Sequence, residues 1–160
     1  MNFELAHKLF EYKEGELYWK VNRGSRAKAG SVAGWLDPDG YRQVRVSSQR
    51  YYVHRIIWLM LNGDWPHGLI DHIEGHKSNN NSENLRLATK SENAKNAKKR
   101  SNNSSGYTGV CWLKREKRWL AYFTSNGKQT VVGYFNNKED AHKAVTQARL
   151  EAGFQKNHGR

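Results

Sequence analysis

Cysteine is nearly absent from this chain of 160 residues, with Cys111 standing alone. A single thiol can form neither an intramolecular disulfide nor a cysteine-based zinc site, and it fits a reducing interior. Long apolar runs are missing as well: the longest, Ile56 to Leu61, falls far short of the roughly 20 residues that a membrane-crossing helix needs. Met1-Asn2-Phe3-Glu4 lacks the basic-then-apolar pattern of a secretory leader. These absences lead to the expectation of a soluble, cytoplasmic protein with no membrane partner. Negative charge is also scarce, with 15 Asp and Glu against 27 Lys and Arg and a formal charge of +12. Such an excess costs self-repulsion unless a polyanion offsets it, which points to nucleic acid, although charge alone fits a merely solubilising surface almost equally well. The excess is shared: residues 1–100 carry 17 basic and 11 acidic residues, and residues 101–160 carry 10 and 4.

What is present suggests two small domains of α+β type. Asn2 is placed to cap a helix with Phe3, Ala6, Leu9 and Phe10 on one face, closed by Gly15. Leu17-Tyr18-Trp19 reads as a strand, residues 22–34 as an irregular loop, and Asp37-Pro38-Asp39-Gly40 as a turn between strands. His54 to Asn62 reads as a buried helix stopped by Gly63. Leu69 to Ile73 and Asn84 to Leu87 read as strands flanking a polar loop, and Thr89 with Glu92 forms a capping box for a helix. Residues 98–106 hold no large apolar side chain and read as a basic, flexible linker between domains at 1–97 and 107–160. Beyond it three strands are expected, the last two joined at Asn126-Gly127, followed by a helix from Asn137 with Ala141, Ala144, Val145, Ala148 and Ala152 on one face.

The densest polar cluster runs from Asp71 to Asn96. Phosphodiester hydrolysis needs a base of near-neutral pKa, which histidine supplies. It also needs charge stabilisation on phosphate oxygens, to which a hard cation held by carboxylate and amide oxygens is suited. Taken singly, each residue has a bland reading: Asp71 as a turn former, His72 as a surface histidine, and Asn79, Asn80 and Asn81 as loop residues tolerant of left-handed backbone. As a set, Asp71-His72-Ile73, Asn79-Asn80-Asn81, Glu83-Asn84-Leu85-Arg86 and Glu92-Asn93 resemble the HNH homing endonucleases of phages, in the subgroup with asparagine at the last position. Leu17-Tyr18-Trp19, Asp39-Gly40-Tyr41, His54-Arg55 and Gly63-Asp64-Trp65-Pro66 extend the likeness over roughly residues 3–97.

That resemblance implies a ββα-metal nuclease domain. It makes His72 the general base, Asp71 and Asn93 the ligands of one divalent ion (Mg2+, with Mn2+ as the alternative), and Asn84 a clamp that bonds backbone around His72. Because Asp71 and His72 are adjacent on a strand and leave it on opposite faces, a local bend is required for both to meet one phosphate. His76 departs from the family pattern and competes with His72 for the role of base. His54, Arg55 and Asn96 are accessory candidates, each with an equally good structural explanation.

Residues 105–153 resemble the Apetala-type, or ethylene-response-factor, DNA-binding domain, on Gly106 to Trp112, Lys117 to Tyr122, Val132-Gly133-Tyr134-Phe135 and Glu139-Asp140-Ala141. The family fold is a three-stranded antiparallel sheet on one helix, with the sheet in the major groove. Alternation then assigns Trp112, Lys114, Arg118, Tyr122 and Thr124, with Lys128, to a DNA face, and Cys111, Leu113 and Phe123 to the core. Lys98, Lys99 and Arg100 would follow phosphate from the linker. The expected function is a site-specific endonuclease that acts as a monomer on double-stranded DNA and nicks one strand. The alternatives are a catalytically silent DNA-binding regulator and an RNA-binding protein.

Overall fold

The first helix starts where the sequence supplies a cap. In the computed structural model, which describes residues 1–97, 99, 101–156 and 158–159, Asn2 Oδ1 accepts the Leu5 N–H at 2.9 Å at the head of α1 (Phe3–Leu9). The helix stops one residue earlier than its apolar face suggests. Phe10 opens β1 (Phe10–Lys13), which pairs antiparallel with β2 (Glu16–Trp19), so Gly15 closes a hairpin and not the helix. Positive φ at Glu14 and Gly15 makes that turn, and the ladder buries Phe10 against Trp19, ring centres 4.7 Å apart.

A second antiparallel sheet holds β3 (Trp35–Leu36), β4 (Arg42–Val46) and β5 (Gln49–Tyr52). The expected turn precedes β4, with Asp37 Oδ1 accepting the Tyr41 N–H at 2.8 Å. β5 runs directly into α2 (Val53–Asn62), which Gly63 ends in a left-handed cap. This helix is not buried all round: Val53, His54, Ile56, Ile57, Leu59 and Met60 are inside, while Leu61 is half exposed. β6 (Leu69–His72) and β7 (Leu85–Ala88) pair antiparallel, with Asp71 opposite Arg86 and His72 opposite Leu85. A short 3-10 turn, Ser82–Asn84, delivers the chain into β7.

The chain forms two units, Met1–Ala88 and Thr89–Arg160, so the division lies before the expected 97. The physical reason lies in the bonds of α3 (Lys90–Ala94) and the residues after it. Thr89 and Glu92 form the expected capping box. Lys95 Nζ donates to Ala152 O at 2.9 Å, the Gln155 N–H donates to Lys95 O at 3.3 Å, and the Gly159 N–H donates to Ala97 O at 2.8 Å. Lys98 and Arg100 lie outside the described residues. The rest of the expected flexible linker is partly built: Asn103 Oδ1 accepts the Gly106 N–H at 2.7 Å, and the buried Ser105 donates to Tyr107 O at 2.8 Å. Small polar side chains here make turns by bonding nearby backbone.

The second unit packs α4 (Lys138–Glu151), capped by Asn137, on a sheet of β8 (Val110–Leu113), β9 (Arg118–Ser125) and β10 (Lys128–Phe135). Its core is Val110, Ala121, Ala141 and Val145, with Trp119, Phe123 and Phe135 against them. Directly opposite residues share a face of an antiparallel pair, so the register corrects the expected assignment. Trp112 pairs with Trp119 and stands on the helix side. Cys111 and Leu113 pair with Leu120 and Arg118 on the open side. Arg118, Tyr122 and Thr124 keep the open face, which Val131 and Tyr134 extend. Among the described residues no helix is long and apolar enough to cross a membrane.

Candidate active site

His72 ends β6 and is buried, with 4 % of its surface exposed. Its Nε2–H donates to Asn80 Oδ1 at 3.0 Å. Three aromatic rings line the same place: His54 meets His72 edge-on at 5.1 Å between centres, Tyr41 lies 5.9 Å from His72, and Tyr52 stacks on His54 at 5.3 Å. Lys77 Nζ caps the Tyr41 ring at 4.4 Å. Burial is the main influence on His72 and lowers its pKa, with Lys77 acting the same way; the Asn80 bond and the Asp71 carboxylate oppose them. His54 is driven lower, to about 3, by burial first and then by His72 and Arg55, and its Nδ1 is buried without a hydrogen-bond partner. Burial, with the neighbouring Tyr52 and acidic groups, raises the Tyr41 hydroxyl.

The loop after His72 is closed by side-chain amides. Asn84 is buried. Its Oδ1 accepts the Glu74 N–H at 2.8 Å while its Nδ2 donates to Asn79 O at 2.7 Å, so one side chain ties both ends of the loop. The β1–β2 hairpin supports the loop from outside: the Ser82 N–H donates to Tyr12 Oη at 3.0 Å, and a Cβ on Gly15 would lie 2.8 Å from Asn81 N. Glycine is needed at this turn both for its positive φ and for that close approach.

Asp71 leaves the preceding strand position and is also buried, and Arg86 opposite donates to its Oδ2 through Nη2 at 2.8 Å and Nε at 3.1 Å. The ladder is unbroken through His72, and a turn follows in which the Gly75 N–H donates to His72 O. The expected bend between Asp71 and His72 is therefore not within β6 itself. Carboxylate and amide oxygens are hard donors, the kind that suit magnesium-class ions. Among the described residues no three His, Cys, Asp or Glu side chains gather into a metal-holding group. Asp71 is the buried carboxylate that would hold such an ion, and its Oδ2 is bonded by Arg86.

The structure brings Asp71, His72, Asn84 and His54 into the first unit's polar interior. Asn93, on α3, and the buried Asn96 belong to the second unit. His76 is exposed on the loop. Arg55 is not turned to phosphate contact: it donates to Gly68 O at 3.2 Å and Pro66 O at 3.1 Å, fastening the segment before β6. Lys99 donates to Gly106 O at 3.1 Å. Lys114 follows β8, and Lys128 opens β10 opposite Ser125. Sequence reasoning gave no individual role to Asn80, Tyr41, Tyr52 or Lys77. Asn80 sits within a run of three asparagines that reads as loop, and the other three come from separate segments that only folding assembles.

Residues 51–95, which include this hairpin and its asparagine-tied loop, match the HNH endonuclease family. The chain is 39 % identical over 90 residues to Protein 3.8 of Escherichia phage T7, a match spanning 56 % of this chain and 72 % of that protein. It is also similar to the "SPbeta prophage-derived putative HNH homing endonuclease YosQ" of Bacillus subtilis (strain 168), 38 % identical over 61 residues, or 38 % of this chain and 35 % of that protein. No solved structure matches. The chain belongs to the HNH endonuclease family.

Proposed function

We propose that this protein is a site-specific, homing-type DNA endonuclease that hydrolyses one phosphodiester bond of duplex DNA, with His72 as general base. The observation that carries the reading is the buried His72 ring, held by Asn80 beside the Asp71–Arg86 pair. A lowered pKa keeps the imidazole neutral at physiological pH, the form able to take a proton from water. Arg86 orients the Asp71 carboxylate, and Asn84 keeps the loop closed around the base. Asp71 would hold a divalent cation, magnesium with manganese as the alternative, and what that ion supplies when bound is charge stabilisation on the phosphate oxygens. Asn93 is proposed as a further ligand on its spacing and family resemblance.

In the second unit, the open face of the sheet carries Arg118, Tyr122, Thr124 and Tyr134. With Lys114, Lys128 and the basic stretch at 98–100, it is proposed to read DNA as an Apetala-type module does. One base and one metal site can serve one scissile phosphate, so a monomer would nick a single strand. Supercoiled plasmid carrying the target, incubated with magnesium, should convert to open circle and stop there, while omission of the metal or His72→Ala should leave it supercoiled. Linear product forming as fast as open circle would overturn the nicking assignment. Cleavage by His72→Ala at the native rate would remove His72 as base.

A further inference from the structure

We propose that the open sheet face of the second unit recognises thymine, through the C5-methyl groups that line the major groove of A·T-rich duplex DNA; this rests on the reading of that face as the one that meets DNA. Antiparallel register arranges its side chains in rows. Leu120, on the middle strand, stands between Cys111 and Tyr134. Tyr122 and Val131 form the row on one side of it, and Leu113 and Arg118 the row on the other. Val131 is 50 % exposed and Tyr134 54 %. Arg118 is the only charged side chain in these three rows. Charge lies around the apolar centre instead: Lys114, Arg115 and Lys117 occupy the turn between β8 and β9, and Lys128 opens β10. Of the acidic residues between 101 and 160, Glu116 alone lies in that turn, while Glu139, Asp140 and Glu151 belong to α4, which packs on the opposite side of the sheet. A basic rim around an apolar centre complements a duplex, whose phosphates flank the base edges on the groove floor.

Each base makes a different demand on that floor. Guanine is read by the donors of Arg or Lys, adenine by the amide of Asn or Gln, and cytosine by an acidic acceptor, whereas the thymine methyl is read by apolar contact. Leu113, Leu120 and Val131 can meet only the last of these. A G·C pair beneath them would lose water from its polar edge without gaining a bond, so the side chains that attract thymine also reject guanine and cytosine. RNA fails on two counts: uracil has no methyl group, and the major groove of an A-form helix is too narrow to be read.

The test is fluorescence anisotropy of the full chain, without divalent ion, on alternating A·T duplex and on the same duplex with deoxyuridine in place of every thymine. Alternating G·C duplex and its 5-methylcytosine form, which puts a methyl at the same groove position, complete the set. One buried methyl is worth roughly fourfold in affinity, so removing all thymine methyls should weaken binding by about tenfold or more, and methylating cytosine should tighten it by about fourfold. Leu120→Asn combined with Val131→Ser should bring the thymine and deoxyuridine duplexes within about twofold of each other, whereas Arg118→Ala should weaken both alike and keep their ratio. Wild-type affinities for those two duplexes within about twofold would overturn thymine recognition whether or not the double variant folds. A methyl preference that survives in a folded double variant would overturn it as well. If neither Arg118→Ala nor the double variant changes affinity for any duplex, it is the assignment of this face to DNA that falls. A dimer in light scattering that Tyr134→Ser dissociates would seat a second chain on the face and overturn both.

Discussion

The first unit buries His54, Asp71, His72, Asn80 and Asn84, whereas the second closes over Val110, Ala121, Ala141 and Val145, with Arg149 its one buried charged side chain among the described residues. Buried polar groups destabilise a fold unless each finds a partner, so their concentration between β6, the following loop and β7 marks where stability yields to chemistry. In the second unit Arg118, Tyr122, Thr124 and Tyr134 stand on the open sheet face, where they cost little and can meet a ligand. One unit is built to hold groups still, and the other to present them.

The largest effect that would test this contrast is on turnover. His72→Ala should lower kcat by about a hundredfold to ten-thousandfold while DNA affinity, measured by fluorescence anisotropy, changes less than about twofold. No substitution on the open face of the second unit should produce that pattern. Asn84→Ala comes next: with the Glu74 N–H and Asn79 carbonyl left unbonded, urea unfolding should report a loss of about 1–3 kcal/mol.

Acid should act on the first unit in particular. His54 has a folded pKa of about 3 against an ordinary value of 6.5, so the unfolded chain binds the extra proton between those limits. Its stabilisation is complete above pH 6.5 and is lost progressively as pH falls toward 3. The expected loss between pH 7.5 and 5 is about 2 kcal/mol. His54→Phe should flatten that dependence in denaturation measured across this range, and an unchanged slope would show that His54 does not carry it. The smallest effect belongs to the second unit. Arg118→Ala should leave kcat at saturating DNA within about twofold and reduce the slope of log affinity against log salt by roughly one unit, as expected for one lost phosphate contact.

Local chemistry in the sequence was sufficient for much of this. The Asn2, Thr89 and Asn137 caps, the Gly63 stop and the Asn126-Gly127 hairpin each depend on residues within a few positions of one another, and each appears in the structure. Asp71, His72 and Asn84 were legible as a set because strand, loop and strand lie close along the chain. Phe10 leaves the expected helix because no local signal decides it, and the helix-side position of Trp112 and the unit division after Ala88 likewise depend on residues distant in the chain. Phe10 joins β1 because β2 pairs with it, and Trp112 faces the helix because Trp119 stands opposite. The residues at 95 and 97 bond others near the chain's end.

The site divides in the same way. The sequence by itself determined which groups can do acid–base and cation chemistry, since that follows from residue type and spacing. Only the tertiary structure decided that Asn80 bonds His72, that Tyr41 and His54 lie against its ring with Tyr52 stacked on His54, that Arg86 holds Asp71, and that Arg55 faces backbone. Those outcomes depend on strand register and on loops brought together across long stretches of chain. A shift of one residue in a strand turns every side chain to the other face without changing the composition.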